Sequence, residues 1–181
     1  GRTTTNDYAQ ADYYYTGKSS LPKVYGGFNT AFSYKGFELS TIFAYSIGNY
    51  IVDRDVTMLW HNGSSTGRAW STEILNRWTP ENRYTDVPAL KTVSNSWNAN
   101  STRNLFNNSF LRMKNITLSY NFPQPMIKKI CLNSLQLFVQ ADNLLTVSKN
   151  QGLDPEQDIS GLTYYRYPAM RSISGGINVS F

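Results

Sequence analysis

The chain has 181 residues and a formal net charge of +5, and its Lys and Arg are scattered rather than clustered, which argues against a nucleic-acid stripe. Thirteen tyrosines, nine phenylalanines and four tryptophans stand against twelve acidic residues, a balance suited to β structure with a large interfacial area. No run approaches the ~18 consecutive apolar residues of a membrane helix, so any membrane span must be made of strands.

Residues 1–22, with Tyr13-Tyr14-Tyr15 at their centre, have no period and read as a loop. The opening at Gly1 is polar and carries no signal peptide, as expected of a piece of a longer chain. Alternation begins at Val24: Val24, Gly26, Phe28, Thr30, Phe32 and Tyr34 oppose Tyr25, Gly27, Asn29, Ala31 and Ser33. Lys35-Gly36 is a two-residue hairpin turn, the glycine supplying the positive φ that such turns require. The return strand carries Phe37, Leu39, Thr41, Phe43, Tyr45 and Ile47 on one face and is expected to run to about Val52, giving a hairpin over 24–52.

Residues 53–108 lack sustained alternation, apart from a candidate short helix over Ala69–Trp78 with Trp70, Ile74, Leu75 and Trp78 on one side. Compact soluble domains rarely carry so long a loop, whereas outer-membrane barrels have short turns at one end and long loops at the other. Residues 109–142 read as a strand pair. In the first strand Phe110, Arg112, Lys114, Ile116, Leu118, Tyr120 and Phe122 alternate with Leu111, Met113, Asn115, Thr117, Ser119 and Asn121. Pro123 and Pro125 end it, Met126–Ile130 makes one or two helical turns, and Leu135, Leu137, Val139 and Ala141 begin the second strand's pattern. Cys131, the single cysteine, cannot form an internal disulfide and is expected as a small buried hydrophobe.

A second loop, 143–168, leads to a closing strand over 169–181. There Ile173, Gly175, Ile177, Val179 and Phe181 share one face, and Ser172, Ser174, Gly176, Asn178 and Ser180 the other. A soluble sandwich strand alternates in the same way, but this polar face carries no charge and the sequence stops on an aromatic residue. Short and long links alternate along the chain, as an up-and-down barrel demands. The five strands predicted are too few to close one, since the smallest bacterial barrels have about eight.

Catalytic chemistry finds little support. Asp53, Asp55, Glu73 and Glu81 are the acids a glycosidase would need, but they lie in a loop that fixes no separation between them. Asp154-Pro155-Glu156 with Asp158 has too few ligands and no turn glycine for a calcium loop and reads as a plain turn. His61, the one histidine, cannot complete a metal cluster alone. The Asn62 and Asn100 sequons carry little meaning by themselves, and Gly26-Gly27 and Gly175-Gly176 read as strand bends or tight strand contacts. No catalytic residue, cofactor or metal site is expected. Trp60, His61, Trp70 and Trp97 are candidate contacts for a ligand or a lid protein, and equally candidates for packing the long loop; for Trp78 packing is the favoured role.

Two resemblances sharpen this reading. Ser174, Gly176, Val179 and the terminal Phe181 are spaced as in the C-terminal assembly signal of bacterial outer-membrane barrels. The run Ser109-Phe-Leu-Arg-Met-Lys-Asn-Ile-Thr-Leu-Ser-Tyr120 before Pro123 resembles a late barrel strand of the SusC/RagA-type TonB-dependent transporters of Bacteroidetes. Arg77-Trp-Thr-Pro-Glu-Asn82, Val139-Gln-Ala-Asp-Asn-Leu-Leu-Thr146, Gly152-Leu-Asp-Pro-Glu156 and Tyr167-Pro-Ala-Met-Arg171 agree in order, and Tyr34-Lys-Gly-Phe37 extends the likeness toward the N-terminus.

The resemblance implies an all-β fold, the C-terminal part of a large plugged barrel of the roughly 22-stranded class. It further implies outer-membrane lipid around the barrel, a periplasmic C-terminus and a SusD-like lipoprotein as lid. TonB would supply energy through a plug region that the quoted segments do not reach. The function implied is import of large nutrients, glycan oligosaccharides or peptides, with no enzymatic step. A secreted β-sandwich carbohydrate-binding module, with Trp60 and Trp70 as a sugar platform, is the competing reading. The outward face separates the two: a sandwich buries Phe28, Phe32, Leu39 and Phe43 in one core, whereas a barrel turns them to lipid.

Overall fold

The structure, a computed structural model, describes residues 7–61, 67–90, 101–150, 154–156, 160–163 and 167–181. It divides into two compact units, one of Gly1–Ser20, Tyr50–Phe106 and Gln157–Arg166, the other of Leu21–Asn49, Asn107–Glu156 and Tyr167–Phe181. Among the described residues no helix is long and apolar enough to cross a membrane.

In chain order the elements are β1 (Val24–Tyr34), β2 (Phe37–Ile47), β3 (Tyr50–Asp53), α1 (Arg54–Leu59), β4 (Leu105–Asn107), β5 (Phe110–Asn121), α2 (Gln124–Ile127), β6 (Ser134–Ser148), β7 (Leu162–Thr163) and β8 (Ser172–Ser180). The second unit is built on a five-stranded sheet in the order β1-β2-β5-β6-β8, each neighbour antiparallel. Sequential strands are spatial neighbours, which makes the sheet a meander. Lys35 and Gly36 both have positive φ (48° and 88°), the pairing a tight primed hairpin turn needs, and Tyr34 faces Phe37 across it.

Directly opposed residues of antiparallel strands share a face, so the register sorts every side chain. One face carries Val24, Phe28, Phe32 and Tyr34 of β1 and Phe37, Leu39, Phe43, Tyr45 and Ile47 of β2. It continues through Leu118 and Tyr120 of β5, Leu137 and Val139 of β6, and Ile173, Ile177 and Val179 of β8. Most of these side chains are exposed, Phe32 at 68% and Ile173 at 74%, while Leu39, Phe43, Tyr45 and Tyr120 are half-buried among their neighbours. Soluble monomers rarely expose a contiguous apolar patch of more than about a few hundred Å². Among the described residues of this unit no second sheet packs on the face.

The opposite face is polar and bonded to itself. Asn178 donates to Gln136 (2.9 Å), Asn115 to Asp142 (2.7 Å) and Ser172 to the other oxygen of Asp142 (2.9 Å). Phe138 also lies on this face, its ring over Gly176. A Cβ on that glycine would sit 2.7 Å from the ring, so the residue is there because the aromatic needs its space.

Three expectations along the sheet need correction. Strict alternation put Arg112 and Lys114 on the apolar face with Ile116 and Leu118. Instead the register slips by one residue between Met113 and Asn115, leaving Lys114 opposite no partner in either neighbour. This bulge turns Arg112 to the polar face, opposite Ala44 and Thr146, and gives Leu111 and Met113 to the apolar face, opposite Tyr45 and Phe43. A guanidinium on an apolar wall is the costlier arrangement, and one extra residue removes it. Second, β2 ends at Ile47 rather than Val52: Gly48 N–H donates to Ser109 Oγ (3.0 Å), Ser46 Oγ to Asn49 (3.3 Å), and the chain leaves the sheet. Third, Cys131 is exposed at a left-handed position closing the turn after α2, where no core reaches it.

The first unit holds a small sheet, β4-β3-β7, with β3 and β7 parallel. Its core is Ile51 and Ile74, with Asp53, Thr57 and Thr163 buried beside them. The Ala69–Trp78 stretch forms a 3-10 turn over Thr72–Asn76 rather than an amphipathic α-helix: Ile74 is buried while Leu75 is 73% exposed.

Candidate functional site

In the first unit the loop aromatics gather around the end of α1. Asp53 caps this helix, accepting from Val56 N–H (3.0 Å), and is wholly buried. The helix ends at Trp60. Phe106 meets the Trp60 ring edge-on at 5.8 Å and the Arg103 guanidinium lies 4.9 Å from its centroid. Burial lowers the Arg103 pKa, and the charges of Asp86 and Glu73 partly offset that. His61 is buried and accepts at Nδ1 the indole N–H of Trp70 (2.9 Å), which leaves its own proton on Nε2. Trp70 is 45% exposed, its indole nitrogen already committed to His61 and part of its ring open. Trp60, His61 and Trp70 thus lie in one local cluster, in which Trp70 presents the most surface; Trp97 lies outside the described residues, as do Asn62, Asn100 and Asp158.

The Arg77–Asn82 motif builds a turn. Thr79 and Asn82 exchange backbone hydrogen bonds (3.2 and 3.1 Å), Asn82 Nδ2 donates to the carbonyls of Asn76 and Arg77, and Trp78 N–H donates to Val87 (2.8 Å). The Trp78 side chain remains 43% exposed, so the motif's first effect is on the backbone.

The second unit holds a charged cluster that strand periodicity did not indicate. Arg112, 3% exposed, donates to Thr146 Oγ1 (3.1 Å), to Glu156 (2.8 Å) and to Asp154. Lys114, on the bulge, reaches both oxygens of Glu156, one at 2.6 Å. Asp154 also accepts the backbone N–H of Glu156 (2.9 Å) and of Ala169 (2.6 Å). Asn108 Nδ2 donates to the Pro155 carbonyl (2.6 Å). Burial alone raises the Asp154 pKa, but the Arg112 hydrogen bond, the two N–H donors and the Arg112 charge together hold it below the usual carboxylate range. The Asp154-Pro155-Glu156 turn is therefore clasped to the polar face of β5 and β6, and through Asp154 it also holds Ala169, just before the chain enters β8. Its carboxylates are spent on cations of the fold, and among the described residues no group of three or more ligating side chains can hold a metal. The sequence signal was two cations inside an otherwise apolar alternation.

The four closing-strand positions lie as the register sets them. Ser174 and Gly176 stand on the polar face opposite Gln140 and Phe138, Val179 on the apolar face opposite Leu135, and Phe181 just past the end of β8, 87% exposed.

No protein-family model matches the chain. It is similar to TonB-dependent receptor P3 of Formosa agariphila, 31% identical over 167 residues, which is 86% of this chain and 16% of that protein. It is likewise similar to receptors P26 (28%, 90% of this chain) and P39 (30%, 86% of this chain) of the same organism. The chain spans about a sixth of the length of these curated relatives. Among solved structures it is similar to the RagAB peptide importer in its closed-closed state, with TM-score 0.77 and 34% identity over 91% of this chain and 18% of that one. The RagAB peptide transporter gives TM-score 0.78, and the open-open state of the importer 0.73. A meander with one bare apolar face and one polar face is what a tilted stretch of membrane barrel looks like when its neighbours are not drawn. The chain belongs to the SusC/RagA-type TonB-dependent outer-membrane transporters, as a C-terminal segment of their large transmembrane β-barrel.

Proposed function

We propose that this chain forms the closing wall and two long loops of an importer that takes up large nutrients, peptides or glycan oligosaccharides, across the outer membrane. The observation that carries the reading is the five-stranded sheet with its bare apolar face, matched at TM-score 0.77 to a peptide importer. That likeness favours peptides over glycans. TonB drives the transport step through the plug region of the whole barrel, and a SusD-like surface lipoprotein closes the outside. The short turns at Lys35-Gly36 and 122–133 face the periplasm together with the C-terminus. The 53–108 loop faces out, as does the link after β6, a strand that runs to Ser148 rather than ending at 142. Trp70, set on His61, and Trp60 beside it contact ligand or lid. Ser174, Gly176, Val179 and Phe181 act as the assembly signal.

Uptake of labelled oligopeptides by intact cells, with and without the gene, tests the reading. Uptake should disappear with the gene and with TonB. Undiminished peptide uptake together with lost oligosaccharide uptake would move the substrate to glycans. Recovery of the protein in the soluble secreted fraction would overturn the transport reading altogether.

A further inference from the structure

One end of the sheet carries more than strand closure requires. Asn121 N–H donates to the Gly36 carbonyl (2.8 Å), Phe122 N–H to Leu135 (3.0 Å) and Asn133 N–H to Ser180 (2.8 Å), so the hairpin turn, the 122–133 link and the end of β8 share one rim. Just inside it runs an aromatic row on the apolar face. Tyr34 is exposed, Phe37 and Tyr120 rings are 4.6 Å apart, and Tyr120 and Phe122 are 4.9 Å apart edge to face. Such girdles sit at headgroup depth.

Beyond the girdle come cations and exposed apolar side chains together. Lys35 follows Tyr34, its ammonium 5.2 Å from that ring's centroid. The first short turn needs only Lys35 and Gly36, but the second spends α2 and a 3-10 turn over Lys128–Ile130. In that link Ile127 is buried, while Met126 is 58% and Ile130 61% exposed on either side of Lys128 and Lys129. Residues 122–133 contain no acid, and among the described residues neither lysine forms an ion pair. Glu38, the acid nearest the rim in sequence, is on the polar face and accepts from Asn121 (3.4 Å).

Water alone explains exposed lysines, but not a methionine and an isoleucine bared on either side of them next to an aromatic girdle. We propose that this rim is a docking surface for anionic phospholipid headgroups, with Lys35, Lys128 and Lys129 on the phosphates and Met126 and Ile130 at the acyl boundary. Lysines lay their apolar stems along the boundary and hold their charge in the headgroup layer. The surface is continuous with the apolar face that meets lipid, and its charge complements anionic lipid. The inference rests on the short turns facing the periplasm, so the lipid is that of the inner leaflet.

The test is native mass spectrometry and lipid analysis of the whole transporter, taken from the outer membrane in mild detergent. Three forms are compared: wild type, Lys128→Gln with Lys129→Gln, and the milder Lys35→Gln. Heat-modifiable gel migration shows that each barrel is folded. Wild type should retain phosphatidylglycerol and cardiolipin over phosphatidylethanolamine. The double variant should lose that preference by on the order of tenfold, and Lys35→Gln by less. Equal retention in all three folded forms would overturn the inference and leave the import reading standing. A loss of lipopolysaccharide in place of phospholipid would overturn it differently, by placing this rim outside and reversing the orientation.

Discussion

At the scale of single residues, Arg112 is the side chain that most changes the picture. It is buried, faces inward only because of the bulge, and neutralises an aspartate 42 positions later. Removing one partner of a buried pair leaves the other charge uncompensated, at about 3–5 kcal/mol. Arg112→Met should therefore free the Asp154-Pro155-Glu156 turn. The Ala169 amide, which donates to Asp154, should exchange with solvent on the order of a hundredfold faster, read by hydrogen exchange of the assembled protein. The pH dependence has a definite sign. Because the folded Asp154 pKa is depressed, its contribution is fully present above the unfolded value near ~3.9 and is lost as pH falls through the lower, folded value. Ala169 protection should hold at pH 5 and fail only well below pH 4. Protection already failing at pH 6 would mean that Asp154 does not carry the clasp.

At the scale of elements, β5 is legible as a strand, but its faces are not. Period-2 reading is a local rule, and one inserted residue inverts everything on one side of it. Deleting Lys114 would join Met113 directly to Asn115, as their partners Phe43 and Ile42 are joined in β2, so strict alternation would keep Met113 outward and Arg112 inward. The faces are tested by a charge instead. Met113→Arg, on the apolar face opposite Phe43, should cost about 2–4 kcal/mol at mid-depth. Lys114→Ala removes only a partly exposed ion pair, so it should be nearly silent. Quantifying the heat-modifiable folded fraction in outer-membrane preparations separates the two. Equal folding of both variants would show that Met113 does not face lipid and would overturn the sorting of faces by the bulge. Loop elements were harder to read, because the 3-10 turn at Thr72–Asn76 buries Ile74 but exposes Leu75, and its entry is tied back by the Ser71 N–H donating to the Leu59 carbonyl (3.0 Å), a contact that leaves no period in the sequence.

At the scale of the whole molecule, the closing strand joins fold to assembly. Phe181 is 87% exposed, so a packing account predicts almost no effect from its removal, far less than the ~3–5 kcal/mol of a buried phenylalanine. If Ser174, Gly176, Val179 and Phe181 form a signal, deleting Phe181 or adding a polar tail after it should lower the amount in the outer membrane and leave unfolded protein in the periplasm. Fractionation and immunoblotting read this directly, and normal insertion of both variants would sink the signal. The sequence by itself determined the five main strands, the Lys35-Gly36 turn, the alternation of short and long links, and hence the barrel class, because each rests on period-2 patterning or local turn chemistry. Five family motifs in order were also legible there. Only the tertiary structure decided the face of Arg112, the clasp on Asp154 and Glu156, the His61–Trp70 pair and the exposure of Cys131. These depend on which strands meet and in what register, and contacts 9 to 44 residues apart leave no period in the sequence to read.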